Sequence, residues 1–208
     1  MEPEPLDQPE KERTGPDWGV YFAAGVFLLV IAGFVALALA SDDEVEDEYH
    51  MYGPWRFERD GPFWKTLYQR GDQVFDIRFR YLPDEVDNIT VHDGEARLVS
   101  PFYLSLDPGM SNESRVQAGL AMLDAGLKLR GVFGEDPMLA CTTNDTDPDC
   151  IGRPAVTCET PDVSVIVFYE AEVPSIRLDG RCIRIEGEGA DLYRAGTLMW
   201  YRLLGIVR

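Results

Sequence analysis

The feature that most constrains this chain is an unbroken apolar run from Trp18 to Ala40, which carries no charged side chain. A helix rises about 1.5 Å per residue, so a helix of this length just spans a hydrocarbon core of about 30 Å. The run therefore predicts a membrane protein with a single N-terminal transmembrane helix, residues 18–40, that contacts the lipid bilayer. Everything after Ala40 is expected on one side of that bilayer.

A cleaved secretory signal is the alternative interpretation of the same run. Residues 38–40 (Ala-Leu-Ala) before Ser41 resemble an A-x-A cleavage site. Against this, the run is longer than the apolar core of an ordinary signal, and the polar residues 1–17 precede it. We therefore expect an uncleaved anchor, and either alternative sends the C-terminal part across a membrane.

Basic residues near the run indicate its orientation. Lys11 and Arg13 precede it, whereas the first basic residue after it is Arg56. Positive charge is favoured on the cytoplasmic side of a membrane span. Residues 1–17, rich in proline and charge, are thus expected to form a disordered cytoplasmic tail, with the C-terminal domain extracellular.

The asparagines support the same location. The chain has three, and each begins an N-x-[ST] glycosylation acceptor: Asn88, Asn112 and Asn144. Chance rarely places every asparagine of a chain in such a motif, although Asn, Ser and Thr also cluster in turns and at helix starts. We expect all three to be glycosylation acceptors, or at least exposed, outside the cytosol.

Four cysteines lie in the last third of the chain: Cys141, Cys150, Cys158 and Cys182. An even number in an oxidising compartment predicts two disulfides. A zinc site is the alternative, but the spacing contains no C-x2-C pair and neither histidine is nearby. Pairing in sequence order is favoured among the three connectivities, because the polar segment between the first two cysteines turns easily.

The formal net charge of −18 limits the classes of partner. Binding to nucleic acid needs a basic stripe, and docking onto anionic headgroups needs positive charge, so both are disfavoured. Acidity combined with scarce lysine is typical of proteins that face high salt, and a GC-rich genome also replaces lysine by arginine. These alternatives concern solubility rather than fold.

Residues 41–51 are expected to be an acidic juxtamembrane linker, and residues 52–208 one disulfide-containing extracytoplasmic domain. Alternating apolar and polar side chains over residues 75–81 predict a half-buried strand. Short apolar stretches on both sides of residues 60–62 (Asp-Gly-Pro) predict a hairpin that leads into it.

The second part of the domain shows two helix patterns. Ser111 or Asn112 is expected to cap a helix ending near Gly131, and a second helix is expected over residues 190–204. Each helix has an apolar stripe at helical spacing: Val116, Leu120, Leu123 and Leu127 in the first, and Leu192, Ala195, Met199 and Leu203 in the second.

Three strands are predicted around these helices, over residues 102–106, 163–169 and 181–186. The second of them is apolar on both faces and should be a central strand covered on both sides. The order of elements predicts the α+β class. We expect one α/β sandwich, in which two helices cover one face of a mainly antiparallel sheet.

Short motifs in the extracytoplasmic part resemble a group of uncharacterised single-pass membrane proteins from small-genome archaea. The motifs that carry the resemblance are Tyr81-Leu82-Pro83, Glu85-Val86, Ala140-Cys141-Thr142, Arg153-Pro154, Thr157-Cys158, Gly180-Arg181-Cys182 and Leu204-Gly205-Ile206. The arrangement of four cysteines is the most specific part. The resemblance implies an archaeal cell-surface setting, where N-glycosylation also occurs, and implies no particular activity.

Signatures of catalysis are scarce. The chain has no G-x-S-x-G elbow, H-E-x-x-H pair, Walker loop or dinucleotide-binding glycine pattern. A Ser-His-Asp hydrolase would have to use His92, which lies in a stretch typical of a turn, because His50 falls in the predicted linker. No catalytic residue and no cofactor are assigned.

The segment between Cys141 and Cys150 has one metal-like feature. Asp145, Asp147 and Asp149 alternate as at the start of a calcium-binding loop. The glycine and glutamate that such a loop needs later are replaced by Cys150 and Val156. The expected structure is therefore a disulfide-closed, glycosylated surface loop, and no metal ligand is assigned.

We expect a membrane-anchored cell-surface protein with a non-catalytic domain that binds a partner, a surface protein or a glycan, or that supports envelope assembly. An extracytoplasmic hydrolase and a pilin-like filament subunit are the alternatives. A hydrolase would need carboxylates or His92 gathered in a cleft. A pilin would normally carry a glutamate shortly inside its apolar helix, and residues 18–40 contain none.

Overall fold

The computed structural model describes residues 18–40, 48–92, 94–144 and 146–207. The chain divides into two units, residues 1–46 and residues 47–208. The predicted tail, residues 1–17, and residues 41–47 of the predicted linker lie outside the described residues.

Helix α1 (Trp18–Ala40) is continuous over the whole apolar run. Its side chains are described at residue 18 and residues 21–36, and all of these are exposed. Among the residues described, no helix is long and apolar enough to cross a membrane. The membrane-spanning role of the complete run remains a prediction from the sequence.

The second unit begins with a four-stranded antiparallel sheet, which we call the meander sheet. Its strands are β1 (Tyr49–Tyr52), β2 (Trp55–Asp60), β3 (Phe63–Arg70) and β4 (Gln73–Phe79). Asp60 pairs with Phe63 at the predicted hairpin, where Gly61 has a φ of 58°. Strand β1 lies in the segment expected to be a linker, so the folded unit starts earlier than residue 52.

A second sheet of six strands, the mixed sheet, has the order β5-β9-β10-β8-β6-β7. Its strands are β5 (Thr90–His92), β6 (Phe102–Leu106), β7 (Met138–Cys141), β8 (Ser164–Glu170), β9 (Ser175–Asp179) and β10 (Cys182–Gly187). Only the β9–β10 pair is antiparallel within this sheet. The expectation of a mainly antiparallel sheet therefore holds for the meander sheet and is wrong for the mixed sheet.

Chain connections explain the parallel strands. Helix α2 (Asn112–Lys128), followed by a π-helical turn at Leu129–Phe133, joins β6 to its parallel neighbour β7. Parallel neighbours need a crossover of this kind. Strand β8 is buried along most of its length, as predicted for a central strand, and such two-sided burial is typical of parallel sheets.

Helix α3 (Ala190–Leu203) lies between the two sheets and is buried on nearly all sides. On one side, Gly196 packs near Phe168 of the mixed sheet. On the other side, the Tyr201 ring centroid lies 4.3 Å from that of Phe79 in the meander sheet. The two predicted helices thus cover one face of the mixed sheet, and the meander sheet covers α3 in turn.

Two disulfides hold the segment that covers the opposite face of the mixed sheet. They join Cys141 to Cys150 and Cys158 to Cys182, the sequence-order pairing that was predicted. Val156, from the segment between them, packs with Val165 and Val167 of β8. The Ser105 hydroxyl donates to the Val156 carbonyl at 2.7 Å, which anchors this segment to the sheet.

Candidate functional site

The predicted apolar stripe of α2 lies on the solvent side of the helix. Val116, Leu120, Leu123 and Leu127, which we call the α2 seam, are each between 40% and 64% exposed. The buried face of α2 carries mostly small side chains: Ser114, Ala118, Ala121, Met122, Ala125 and Lys128. Small residues are required there, because α2 and α3 approach so closely that a Cβ placed on Gly196 would lie 3.3 Å from the Ala121 Cβ.

A groove of about 530 Å³ lies between α2 and β7, the edge strand of the mixed sheet, and is lined by Val116, Leu123 and Leu127 of the α2 seam. Gly119 and Gly126 leave room on the helix side, since no atom lies within 4 Å of the position of a Cβ at Gly119. Pro137 and Leu139 line the opposite side. A row of exposed aliphatic side chains beside an open groove is typical of a surface that binds an apolar partner.

Three arginines line the groove, although the chain as a whole is strongly acidic: Arg115, Arg130 and Arg153. Arg130 pairs with Asp136 at 2.5 Å, and both side chains are more than 70% exposed. Within the described residues, the Arg153 side chain forms no ion pair. Arg115 and Arg130 are paired with carboxylates, and Asp149 also lines the groove, so its border carries charges of both signs.

Arg115 supplies the positive charge that neutralises two aspartates of the acidic loop between Cys141 and Cys150. Its Nη1 lies 2.9 Å from Asp147 Oδ2 and 3.4 Å from Asp149 Oδ2. The Arg115 guanidinium thus lies beside two of the three aspartates that resembled the start of a calcium-binding loop. The third, Asp145, lies outside the described residues. Across the described part of the chain, no group of His, Cys, Asp or Glu is suited to hold a metal ion.

A second polar cluster joins the N-termini of α2 and α3. The hydroxyls of Ser111 and Ser114 both donate to Glu170 Oε1, and the backbone N–H of Ser111 donates to Glu170 Oε2 at 2.8 Å. The hydroxyl of Ser114 in turn accepts from the Gly189 N–H at 2.9 Å. The serine hydrogen bonds lower the pKa of Glu170, because they stabilise its charged form.

This cluster satisfies backbone groups at two helix starts, where four N–H groups lack intrahelical partners. A cavity of about 310 Å³ beside it has four acidic side chains among its lining residues: Glu113, Glu172, Glu188 and Asp191. Every charged side chain that lines it is negative. The cluster is best explained as helix capping and gives no indication of a catalytic base.

The three glycosylation sequons lie on the surface. Asn88, Asn112 and Asn144 are all exposed, and Asn112 is the first residue of α2. Asn88 accepts a hydrogen bond from Arg194 through Oδ1 at 3.0 Å, which leaves its side-chain nitrogen available. Their exposure is as predicted, and their use as acceptors stays a prediction.

The two histidines have different surroundings. His50 Nε2 lies 2.8 Å from Asp84 Oδ2 on the surface. His92 is exposed at the end of the edge strand β5, and it has no hydrogen-bond partner among the described residues. Among the described residues, no serine or aspartate forms the hydrogen bond to His92 that the hydrolase alternative needs.

Sequence reasoning identified the residues of the α2 seam but not their role. Their spacing of four, three and four residues is the narrow pattern of a coiled-coil seam, whereas a helix packed on a core usually shows a broader apolar stripe. The alanines on the opposite face were the second available signal.

Comparison of the chain with protein-family models, with curated proteins and with solved structures found no match in any of the three.

Proposed function

We propose that this chain is a membrane-anchored cell-surface protein whose extracytoplasmic domain is a non-catalytic binding module. The α2 seam is its docking surface, and it supports assembly at the cell envelope through contact between proteins. The observation that carries the proposal is the row of four large aliphatic side chains exposed on α2, three of which line an open groove.

The proposed location rests on features that agree with one another. Residues 18–40 are long and apolar enough in sequence to span a bilayer, and Lys11 and Arg13 favour a cytoplasmic N-terminus. The two disulfides favour an oxidising compartment. The three exposed sequons and the resemblance to archaeal single-pass surface proteins agree with this location.

The chemistry of the α2 seam favours a protein partner over a glycan. Its side chains are aliphatic and cannot hydrogen-bond. They would remove sugar hydroxyls from water without offering new hydrogen bonds in place of those lost to water. The spacing of the α2 seam matches a helix that presents its own apolar stripe. Such a helix would cover leucines that are otherwise in contact with water, and this supplies the driving force for binding.

The test compares two leucines of nearly equal exposure. Leu123 in the α2 seam is 62% exposed, and Leu67 on the outer face of the meander sheet is 63% exposed. Each is replaced by cysteine in the full chain, and intact cells are treated with a membrane-impermeant maleimide. The four native cysteines are disulfide-bonded, so the introduced thiol is the reactive one.

We expect Leu67→Cys to be labelled on intact cells, which reports the extracytoplasmic location. We expect Leu123→Cys to be labelled at least tenfold more slowly on cells, and as fast as Leu67→Cys after purification and dilution of the protein. Equal labelling of both variants on cells would show that the α2 seam is unoccupied and would refute the binding role. Labelling of neither variant until the cells are opened would refute the location.

A further inference from the structure

The residues of the α2 seam are symmetric about the midpoint between Ala121 and Met122. Val116 and Leu127 are equally far from this point along the helix, and so are Leu120 and Leu123. If two copies of α2 pack antiparallel about a twofold axis at this point, each seam residue of one copy lies level with a seam residue of the other. A twofold interface requires a surface that is complementary to itself in this way.

Charges at the two ends of the α2 seam extend the same symmetry. Glu113, in the first turn of α2, and Arg130, just after its last turn, are also equally far from the midpoint. Both side chains are exposed, and the pair that Arg130 forms with Asp136 within one copy is an exposed one, so Arg130 would exchange partners at little cost. An antiparallel pair therefore places Glu113 level with the partner's Arg130, whereas a parallel pair would place it against the partner's Glu113. Opposite charges favour the antiparallel arrangement, and like charges disfavour the parallel one.

Resting on the proposed function, we propose that the partner at the α2 seam is a second copy of this chain. The two copies pair through antiparallel α2 helices, with aliphatic contacts in the centre and a Glu113–Arg130 ion pair at each end. The seam covers only about three helical turns, so the pair is weak in dilute solution. Anchoring both copies in one membrane raises their effective concentration and favours the dimer.

Net charge makes this association dependent on salt. Each copy carries a formal charge of −18, and the resulting long-range repulsion is screened as ionic strength rises. The aliphatic contacts in the centre of the α2 seam do not depend on charge. We therefore expect the dimer fraction to increase between low and high salt, the opposite of a dimer held mainly by ion pairs.

The first experiment cross-links the full chain in its own membranes. Glu113→Cys and Arg130→Cys are produced separately and together in the same cells, then oxidised with copper phenanthroline. A non-reducing gel separates the cross-linked dimers. We expect a dimer when both variants are present and little or none when either is alone. Leu67→Cys produced together with Arg130→Cys is the matched control and should give none.

The second experiment exchanges the charges. Glu113→Arg alone and Arg130→Glu alone are each expected to weaken dimerisation about threefold, measured by sedimentation equilibrium of the full chain in detergent at high protein concentration. The double variant is expected to restore the wild-type value, because the exchanged charges meet again across the twofold axis. A merely structural role of either residue inside one copy would not give this recovery.

Each outcome separates the two proposals. A cross-link in cells that contain Glu113→Cys alone would overturn the antiparallel pairing. Absence of the Glu113→Cys/Arg130→Cys cross-link, with Leu123→Cys still protected on cells, would overturn the homodimer and leave a different helical partner. Free labelling of Leu123→Cys on cells would overturn the proposed function itself.

Discussion

Arg115 Nη1 lies 2.9 Å from Asp147 Oδ2, and this ion pair joins α2 to the loop closed by the Cys141–Cys150 disulfide. The same guanidinium donates to the Pro108 carbonyl at 2.8 Å. Arg115 directly precedes Val116, the first residue of the α2 seam. The disulfide loop therefore holds the start of the seam in place, although the two lie far apart in sequence.

Arg115→Ala is expected to lower the free energy of unfolding by about 2 kcal/mol, because Asp147 would lose the partner of a partly buried charge. Both side chains of this pair are less than a quarter exposed. The matched control is Arg97→Ala, which breaks an ion pair with Glu95 whose side chains are more than 80% exposed. That change should cost less than about 1 kcal/mol in the same denaturant titration. Equal effects would contradict a structural role of Arg115.

Lys128 is buried with Asp124 as its counter-charge, and its ammonium lies 4.7 Å from the Phe79 ring centroid. Burial lowers the pKa of Lys128, and Asp124 partly offsets this. Asp124→Asn is expected to cost about 3 kcal/mol, because it leaves a buried charge unpaired. Lys128→Met removes that charge and should change the free energy of unfolding by less than about 1 kcal/mol.

The effect of pH distinguishes these two variants. The pKa of Lys128 is lower in the folded than in the unfolded protein, so the unfolded state binds more protons between the two values. The free energy of unfolding contributed by this residue therefore rises as pH increases through that interval. Asp124→Asn should recover stability relative to Lys128→Met between pH 7 and pH 10. A constant difference over this range would contradict the assignment.

Ser114→Ala is expected to cost about 1–3 kcal/mol at pH 7, because the Gly189 N–H loses its acceptor in a buried position. It should also weaken the dependence of stability on acid. The pKa of Glu170 is lowered in the folded protein, so its contribution is present above the unfolded pKa and is lost as pH falls through the folded pKa. Denaturant titrations between pH 7 and pH 2 test this. In the Glu170→Gln variant, the contribution of residue 170 to the acid dependence of the free energy of unfolding should be absent, with or without Ser114→Ala.

Two helix glycines should respond oppositely to the same substitution. Gly196→Leu is expected to lower the free energy of unfolding by about 2 kcal/mol, since Ala121 and Phe168 already fill the space next to it. Gly119→Leu should raise it by about 1 kcal/mol through helix propensity, because no atom lies within 4 Å of its Cβ position. Thermal unfolding of the two variants measures the difference. A similar loss in both would contradict the close α2–α3 contact.

Glycans are expected at Asn88, Asn112 and Asn144, which are all exposed sequons. Intact-mass analysis of protein purified from its own cells should show added carbohydrate. Replacing all three asparagines by glutamine should return the mass to that of the polypeptide. A native mass equal to the bare chain would remove this argument for an extracytoplasmic location.

Local patterns were sufficient to predict most elements that bury a regular apolar stripe. The strands at residues 75–79 and 164–169 and helix α3 lie close to their predicted positions, since alternating or helical spacing directly reflects burial. Strands β1, β5, β7 and β9 were missed. They are short, and three of them lie at sheet edges with at least half of their residues exposed, so few buried apolar positions are left to form a regular pattern.

The sequence by itself determined the apolar run of α1 and favoured the pairing of the four cysteines and the surface position of the sequons, because local composition and spacing carry these signals. Only the tertiary structure decided which face of α2 is buried. Leucines and alanines on opposite faces of a helix are both compatible with a core. The close approach of α3 at Gly196 admits only the alanines, and this leaves Val116, Leu120, Leu123 and Leu127 in contact with solvent.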